Sequence, residues 1–212
     1  MSRINISKSV DAETINKIES KYFECEAATR NIAFELSKGV DFTNEGVKYQ
    51  LSRLRKYYPM YNKLKDEFTR DVVQPIIKEN GGNGTCTWNI AFDKKEVYID
   101  MDLGEWVDAT EDVDLSISTE KAAEIENAKN DLEIYGDIIS YLGNNGLIRN
   151  VPESIMDDLN KRQADAMKDY DNGRNMITND VVLPYLNENG ISASVTWNLD
   201  FATGKILLSY NK

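Results

Sequence analysis

The sequence predicts an α+β fold in which a helix, a longer kinked helix and a β-hairpin occur twice. Two observations predict it. The first is a repeat: Asp71-Val72-Val73-Gln74-Pro75 through Glu79-Asn80-Gly81 and Thr87-Trp88-Asn89 to Phe92 returns as Asp180-Val181-Val182-Leu183-Pro184 through Glu188-Asn189-Gly190 and Thr196-Trp197-Asn198 to Phe201. The offset is 109 residues without a gap, and 11 of the 30 pairs from Asp71/Asp180 to Asp100/Ser209 are identical. Unrelated stretches of that length share about two. The second observation is periodicity, which is helical before each repeated block and alternates by two after it. Tandem duplication is therefore the starting point of the fold reading.

Taken in order, residues 1–8 read as an arm, and Ser9 or Asp11 is placed to cap the first helix. Ile15, Ile18, Tyr22, Cys25, Thr29, Ile32 and Leu36 fall alternately three and four apart, a seam on one helix face. Gly39 ends that helix. Thr43 and Glu45 open a second helix with its seam at Val47, Leu51, Leu54, Tyr58, Tyr61, Phe68 and Val72. Pro59 and Pro75 lie inside it, and each is expected to kink or restart it. Gly81 closes it, a loop follows, and Cys86, Trp88, Ile90 and Phe92 alternate with Thr87, Asn89 and Ala91 as one strand of a hairpin turning at 93–96.

The second copy begins after an acidic stretch, 102–117, read as a solvated, mobile connector. Ser118 or Thr119 caps a helix with a seam at Ile125, Ala128, Leu132, Tyr135, Ile139 and Leu142. Pro152 and Glu153 start the next helix. Asp171-Asn172-Gly173 reads as a weak point in it and Pro184 as a kink. Val195, Trp197, Leu199 and Phe201 begin the closing hairpin, which turns at 202–205. The predicted organisation is thus a module over 1–101, a connector over 102–117 and a module over 118–212. A lone hairpin is marginal in water, so the two are expected to merge into one four-stranded antiparallel sheet whose apolar face, Trp88 and Trp197 included, covers a helical layer.

Composition narrows the function. A net charge of −11 argues against a general nucleic-acid binder, which needs a surplus of Lys and Arg, and against an anionic membrane surface. No apolar run approaches a membrane span, and residues 1–8 have no signal-peptide core, which predicts the cytoplasm of the producing cell or a virion. Histidine is absent, which removes Ser-His and Cys-His nucleophilic systems and imidazole metal sites. The two cysteines, Cys25 and Cys86, stand at apolar positions and read as buried thiols. The 21 asparagines suggest an AT-rich source genome.

The candidate sites are few. Trp88 and Trp197 read as core anchors rather than twin aromatic binding sites. Gly81-Gly82-Asn83-Gly84 is followed by a strand and lacks the Lys of a phosphate loop; it reads as a helix end. Asp100, Asp102, Asp108 and Glu111 stand at positions 1, 3, 9 and 12 of an EF-hand loop. Gly104 and Glu105 then break the pattern, leaving a weak calcium candidate. On the second helix Arg53, Arg55, Lys56, Lys63 and Lys65 form a basic interaction stretch, with Lys48 and Arg70 flanking it and Tyr57, Tyr58 and Tyr61 interleaved. Its natural complement is an acidic surface such as 102–114 of another copy, which would give salt-sensitive head-to-tail assembly. No nucleophile motif or acid/base couple stands out, and no cofactor is implied.

The function expected from these residues is non-enzymatic: a structural or adaptor protein acting through protein–protein surfaces, by self-association or in a larger assembly, with a bacteriophage virion or assembly component as its setting. One alternative is an acidic nucleic-acid mimic that inhibits an enzyme with a basic groove. The other is an enzyme whose class carries no recognisable motif.

Overall fold

Apolar seams and alternating stretches become helices and strands, and each half gains one strand besides. The computed structural model describes residues 3–104, the backbone of 110–111, and residues 113–191 and 195–210. In chain order these are β1 (Arg3–Ser9), α1 (Ala12–Ser37), α2 (Glu45–Phe68), a π-helical turn (Thr69–Val73), α3 (Gln74–Glu79), β2 (Gly82–Ala91) and β3 (Glu96–Leu103). There follow β4 (Thr110–Glu111), α4 (Thr119–Asn144), a 3₁₀ turn (Leu147–Asn150), α5 (Glu153–Ile177), a second π-helical turn (Thr178–Val182), α6 (Leu183–Glu188), β5 (Val195–Leu199) and β6 (Ile206–Tyr210). The class is α+β, with four long helices and two small antiparallel sheets among the described residues.

Contacts group the chain into two compact units, Met1–Glu26 with Tyr57–Asp108, and Ala27–Lys56 with Ala109–Lys212. The first contains a sheet of order β1-β3-β2. Ile99 on the central strand is opposite Ile6 on one side and Trp88 on the other. Val97, Ile99 and Met101 point inward and are buried with Ile15, Ile18, Phe68, Val73, Ile76 and Ile77. Each such aliphatic side chain removed from water contributes about 1.5–3 kcal/mol. Tyr98 and Asp100 point to the opposite face, as a period of two requires.

The second unit contains a sheet of order β4-β6-β5. Its inner residues Leu199, Ile206 and Leu208 are buried with Ala122, Ile125, Ile177, Val182 and Leu186. The Ser118 hydroxyl accepts the Lys121 N–H at 3.2 Å and starts α4, as the Asp11 carboxylate accepts the Thr14 N–H at 2.8 Å and starts α1. Both are N-caps that satisfy a donor the helix leaves open.

Two expectations about the sheets are corrected. Among the described residues no four-stranded sheet forms: each hairpin lies in a separate sheet. The reason is a nearer partner. The presumed arm is β1, which pairs with β3 from Arg3↔Asp102 to Ser9↔Glu96. The presumed mobile connector supplies the matching segment of the second unit: Thr110↔Ser209 and Glu111↔Leu208 pair, and Ser116 bridges Lys205. Val113, Leu115 and Ile117 lie against the core there. Each edge segment leads directly into a helix, α1 or α4, whose Ile15 and Ile18 or Ala122 and Ile125 pack on that hairpin's core, and this lays the segment along the hairpin's free edge.

The proline expectations change as well. α2 runs through Pro59 without a break. Before Pro75 and Pro184 the helix widens into π turns at Thr69–Val73 and Thr178–Val182, which match at the 109-residue offset. The Gln74 N–H reaches the Thr69 carbonyl and the Leu183 N–H reaches the Thr178 carbonyl, one residue further back than in an α-helix. That extra residue carries the chain past a proline that has no N–H and whose ring crowds the carbonyl four residues back. Thr69 and Thr178 donate their hydroxyls to the carbonyls of Lys65 and Arg174. Asn80 and Asn189 close the helices by donating side-chain amides to the carbonyls of Ile76 and Tyr185, each at 2.8 Å. Gly81 and Gly190 follow with φ of 73° and 65°. Most of the repeated signature is thus explained by building this turn.

The weak point expected at Asp171-Asn172-Gly173 does not appear. α5 continues to Ile177, and Gly173 is where α4 comes close: a Cβ there would lie 2.5 Å from Ile125 Cγ1.

Candidate functional site

The repeated tryptophan is the natural place to begin. In the second unit Trp197 lies half-buried over the core, and its indole N–H donates to the Thr178 hydroxyl at 3.2 Å. Arg174 lies 4.7 Å from its ring centre and 5.8 Å from that of Tyr170. At the same offset in the first unit, Lys65 lies 5.9 Å from the ring of Trp88 and 5.4 Å from that of Tyr61. A cation between a tyrosine and a tryptophan is therefore built twice. Such stacking contributes about 0.5–2 kcal/mol per pair, and at both places it braces the helix against the sheet.

The first unit then departs from the second. Tyr22 and Phe23 on α1 join Tyr61 of α2 and Phe92 at the end of the hairpin strand in an aromatic cluster. Ring centres are 5.5 Å apart for Tyr22–Phe23 and for Tyr22–Phe92, 6.1 Å for Tyr22–Tyr61 and 6.3 Å for Phe23–Phe92. These are edge-on and tilted arrangements of the kind aromatic pairs prefer. Beside them Lys21 lies 5.0 Å from the ring of Tyr57. The cluster faces solvent, with Phe23 50% and Tyr22 36% exposed. Tyr22 occupies a seam position of α1, and the other six seam residues are buried. In the second unit Tyr61 and Phe92 have counterparts in Tyr170 and Phe201, whereas Tyr22 is matched by Lys129, 5.8 Å from the Phe201 ring, and Phe23 by Asn130. The sequence held a signal for this: two consecutive helical aromatics cannot both face one seam, and α4 has no such pair.

The five basic residues of the second helix have different surroundings. Arg55 forms a two-point pair with Asp131, Nε to Oδ1 and Nη2 to Oδ2 both at 2.8 Å, and a further bond to the Tyr135 hydroxyl at 3.3 Å. Arg53 reaches Gln50 at 3.3 Å. Lys56 has a partner of its own, Lys63 is exposed, and Lys65 lies over Tyr61 and Trp88. At about 100° per residue Arg53, Lys56 and Lys63 leave one side of the helix, while Arg55 and Lys65 leave elsewhere. Arg55→Ala is expected to cost about 1 kcal/mol, because the pair is well formed but half-exposed. A double-mutant cycle with Asp131→Ala in urea unfolding checks it, and a coupling of zero would show the pair to be idle.

Of the calcium candidates, Asp100 accepts a hydrogen bond from Arg3 Nε at 2.6 Å, and Asp102 is half-buried on β3. The side chains of Asp108 and Glu111 lie outside the described residues. Among the described residues no three His, Cys, Asp or Glu groups converge as they would to hold a metal. Burial pushes the Cys86 thiol above its usual range, so it resists forming the thiolate that cysteine chemistry uses. A groove of about 760 Å³ in the second unit, between α4 and α5, is lined by Glu124, Asp131, Asp165, Asp169, Lys121 and Arg162. Arg55 engages Asp131 and Lys121 engages Glu124 at its wall. Among the described residues no helix is long and apolar enough to cross a membrane.

Comparison with protein-family models, with curated proteins and with solved structures finds no match for the chain.

Proposed function

We propose that this chain is a non-enzymatic structural or adaptor protein, working through protein–protein surfaces as one component of a larger assembly such as a phage virion, and that Tyr22, Phe23, Tyr61 and Phe92 form one such surface. The observation that carries this is the cluster's exposure together with its asymmetry. The second half builds the same π turn, the same cation–aromatic brace and the same hairpin with Lys129 and Asn130 at the matching positions. Tyr22 and Phe23 are therefore surplus to what that brace requires. Exposed aromatics cost solubility, and their usual return is a partner, since interface centres are rich in Tyr, Trp and Phe. In this reading a duplication made two equivalent halves, and the first acquired a contact surface that the second lacks.

A photo-crosslinking phenylalanine analogue at position 23, irradiated in the cells that make the protein, tests it. The expected result is a covalent adduct to a protein chain, absent when the same analogue replaces exposed Lys168 on α5. No adduct above that control would sink the proposal.

A further inference from the structure

The first sheet has two unlike edges. β1 forms one edge and carries Arg3 and Lys8, which pair with Asp100 and Glu79 at 2.6 Å and 3.1 Å. Charges of this kind are the common device against unwanted strand pairing. β2 forms the other edge and pairs only with β3 among the described residues. It has no such guard: no charged residue stands anywhere between Glu79 and Asp93, in a chain where charged residues make up 29%. It contains no proline either, and a single irregularity between Gly82 and Cys86 leaves Cys86 to Ala91 as an unbroken ladder. Thr87 and Asn89 point outward and are exposed, and Trp88 on the inner face is only half-buried.

We propose that β2 is a self-association edge, on which the β2 of a second copy pairs antiparallel about a two-fold axis and joins two sheets into one. The occupant is argued from charge. Two chains of −11 repel wherever their acidic surfaces meet. Along β2 any register about the axis sets uncharged residues opposite uncharged residues, so the backbone hydrogen bonds form without like charges facing. An isologous contact also needs only one self-complementary strip, which this strand supplies. The corresponding edge of the second sheet, β5, is uncharged as well, and among the described residues its ladder runs from Val195 to Leu199, a little shorter than Cys86 to Ala91.

This deepens the protein–protein reading by naming self as one partner, on a surface separate from the aromatic cluster. Its test is light scattering over a concentration series at low and at physiological salt, on the full chain and two variants. The wild type is expected to dimerise, and more strongly as salt rises, because salt screens the repulsion between like-charged copies. Attraction between a basic helix and an acidic connector would weaken instead. Thr87→Lys puts a charge on the edge and is expected to weaken dimerisation roughly tenfold or more. Thr196→Lys makes the same change at the matching position of β5 and is expected to leave it unaltered. Since either lysine lowers the net repulsion, loss in the first variant alone points to the β2 edge. Far-UV circular dichroism confirms that both variants fold. A monomeric wild type, a dimer weakened by salt, or a dimer insensitive to Thr87→Lys overturns the proposal. A monomer that still crosslinks through position 23 overturns this inference alone, and a dimer without that crosslink overturns only the aromatic surface.

Discussion

Trp197→Ala is expected to destabilise the protein by about 3 kcal/mol, and Trp88→Ala by a similar amount. Both rings are half-buried over a core, which sets the cost near the lower end for a large aromatic. Trp88 stacks obliquely on Phe68 with ring centres 5.3 Å apart, and truncation leaves that ring facing a hole. Trp197 adds two contacts of its own, the hydrogen bond to Thr178 and the guanidinium of Arg174 4.7 Å away. Trp197→Phe keeps a ring and loses the hydrogen bond, so about 1 kcal/mol is expected there. Urea unfolding followed by far-UV circular dichroism measures all three. If both alanine variants stay within 1 kcal/mol of wild type, the cation–aromatic brace is ornament and the repeated Thr-Trp-Asn needs another cause.

How much of this was legible in the sequence depends on how local each cause is. The helix seam Ile15, Ile18, Cys25, Thr29, Ile32 and Leu36 is buried as its spacing predicts, because the spacing itself sets the face. Tyr22 satisfies the same spacing and is exposed. Periodicity gives a direction and says nothing of what arrives to cover it. The third strand of each sheet was harder to see: Val10 and Ile117, whose N–H groups meet the Lys95 and Gly204 carbonyls, stand 107 residues apart rather than 109, and the acidic residues before the latter read as solvated. Choice of strand partner is a long-range matter: Arg3 pairs with Asp102 and Thr110 with Ser209, each 99 residues on, held there by the helix that follows each edge segment. Arg55 was read with its helical neighbours, while its partner Asp131 is 76 residues away. The prolines announced a disturbed helix, and only the hydrogen-bond ladder shows that Pro75 and Pro184 are met by a π turn while Pro59 is passed without a break.

Gly204→Ala is expected to cost about 3 kcal/mol, while Lys95→Gly, at the matching position of the other half, is expected to be nearly neutral. Both residues turn a hairpin with positive φ, 73° at Gly204 and 54° at Lys95. For an L-residue that conformation costs about 1–2 kcal/mol, a strain that Lys95 carries and Gly204 avoids. The difference lies in what is nearby. A Cβ at Gly204 would overlap the backbone carbonyl oxygen of Ile117, which cannot rotate away. The segment 113–117, bridged to Lys205 through Ser116, would have to move. It would strain the bonds from the Ile117 N–H to the Gly204 carbonyl at 2.9 Å and from the Ile206 N–H to the Leu115 carbonyl at 2.8 Å, and lift Leu115 and Ile117 from the core. Overpacking of this kind costs about 1–3 kcal/mol beyond the backbone strain. At position 95 the side chain is accommodated, and Lys95 Nζ pairs with Glu19 at 2.8 Å. Glycine there relieves the backbone but gives up that partly screened pair, contributing about 0.5–1 kcal/mol, and the two changes roughly cancel. Thermal unfolding of both variants is the measurement. A Gly204→Ala protein as stable as wild type would mean that the segment after the acidic stretch is not held on β6, and that the second sheet lacks the third strand that completes the first.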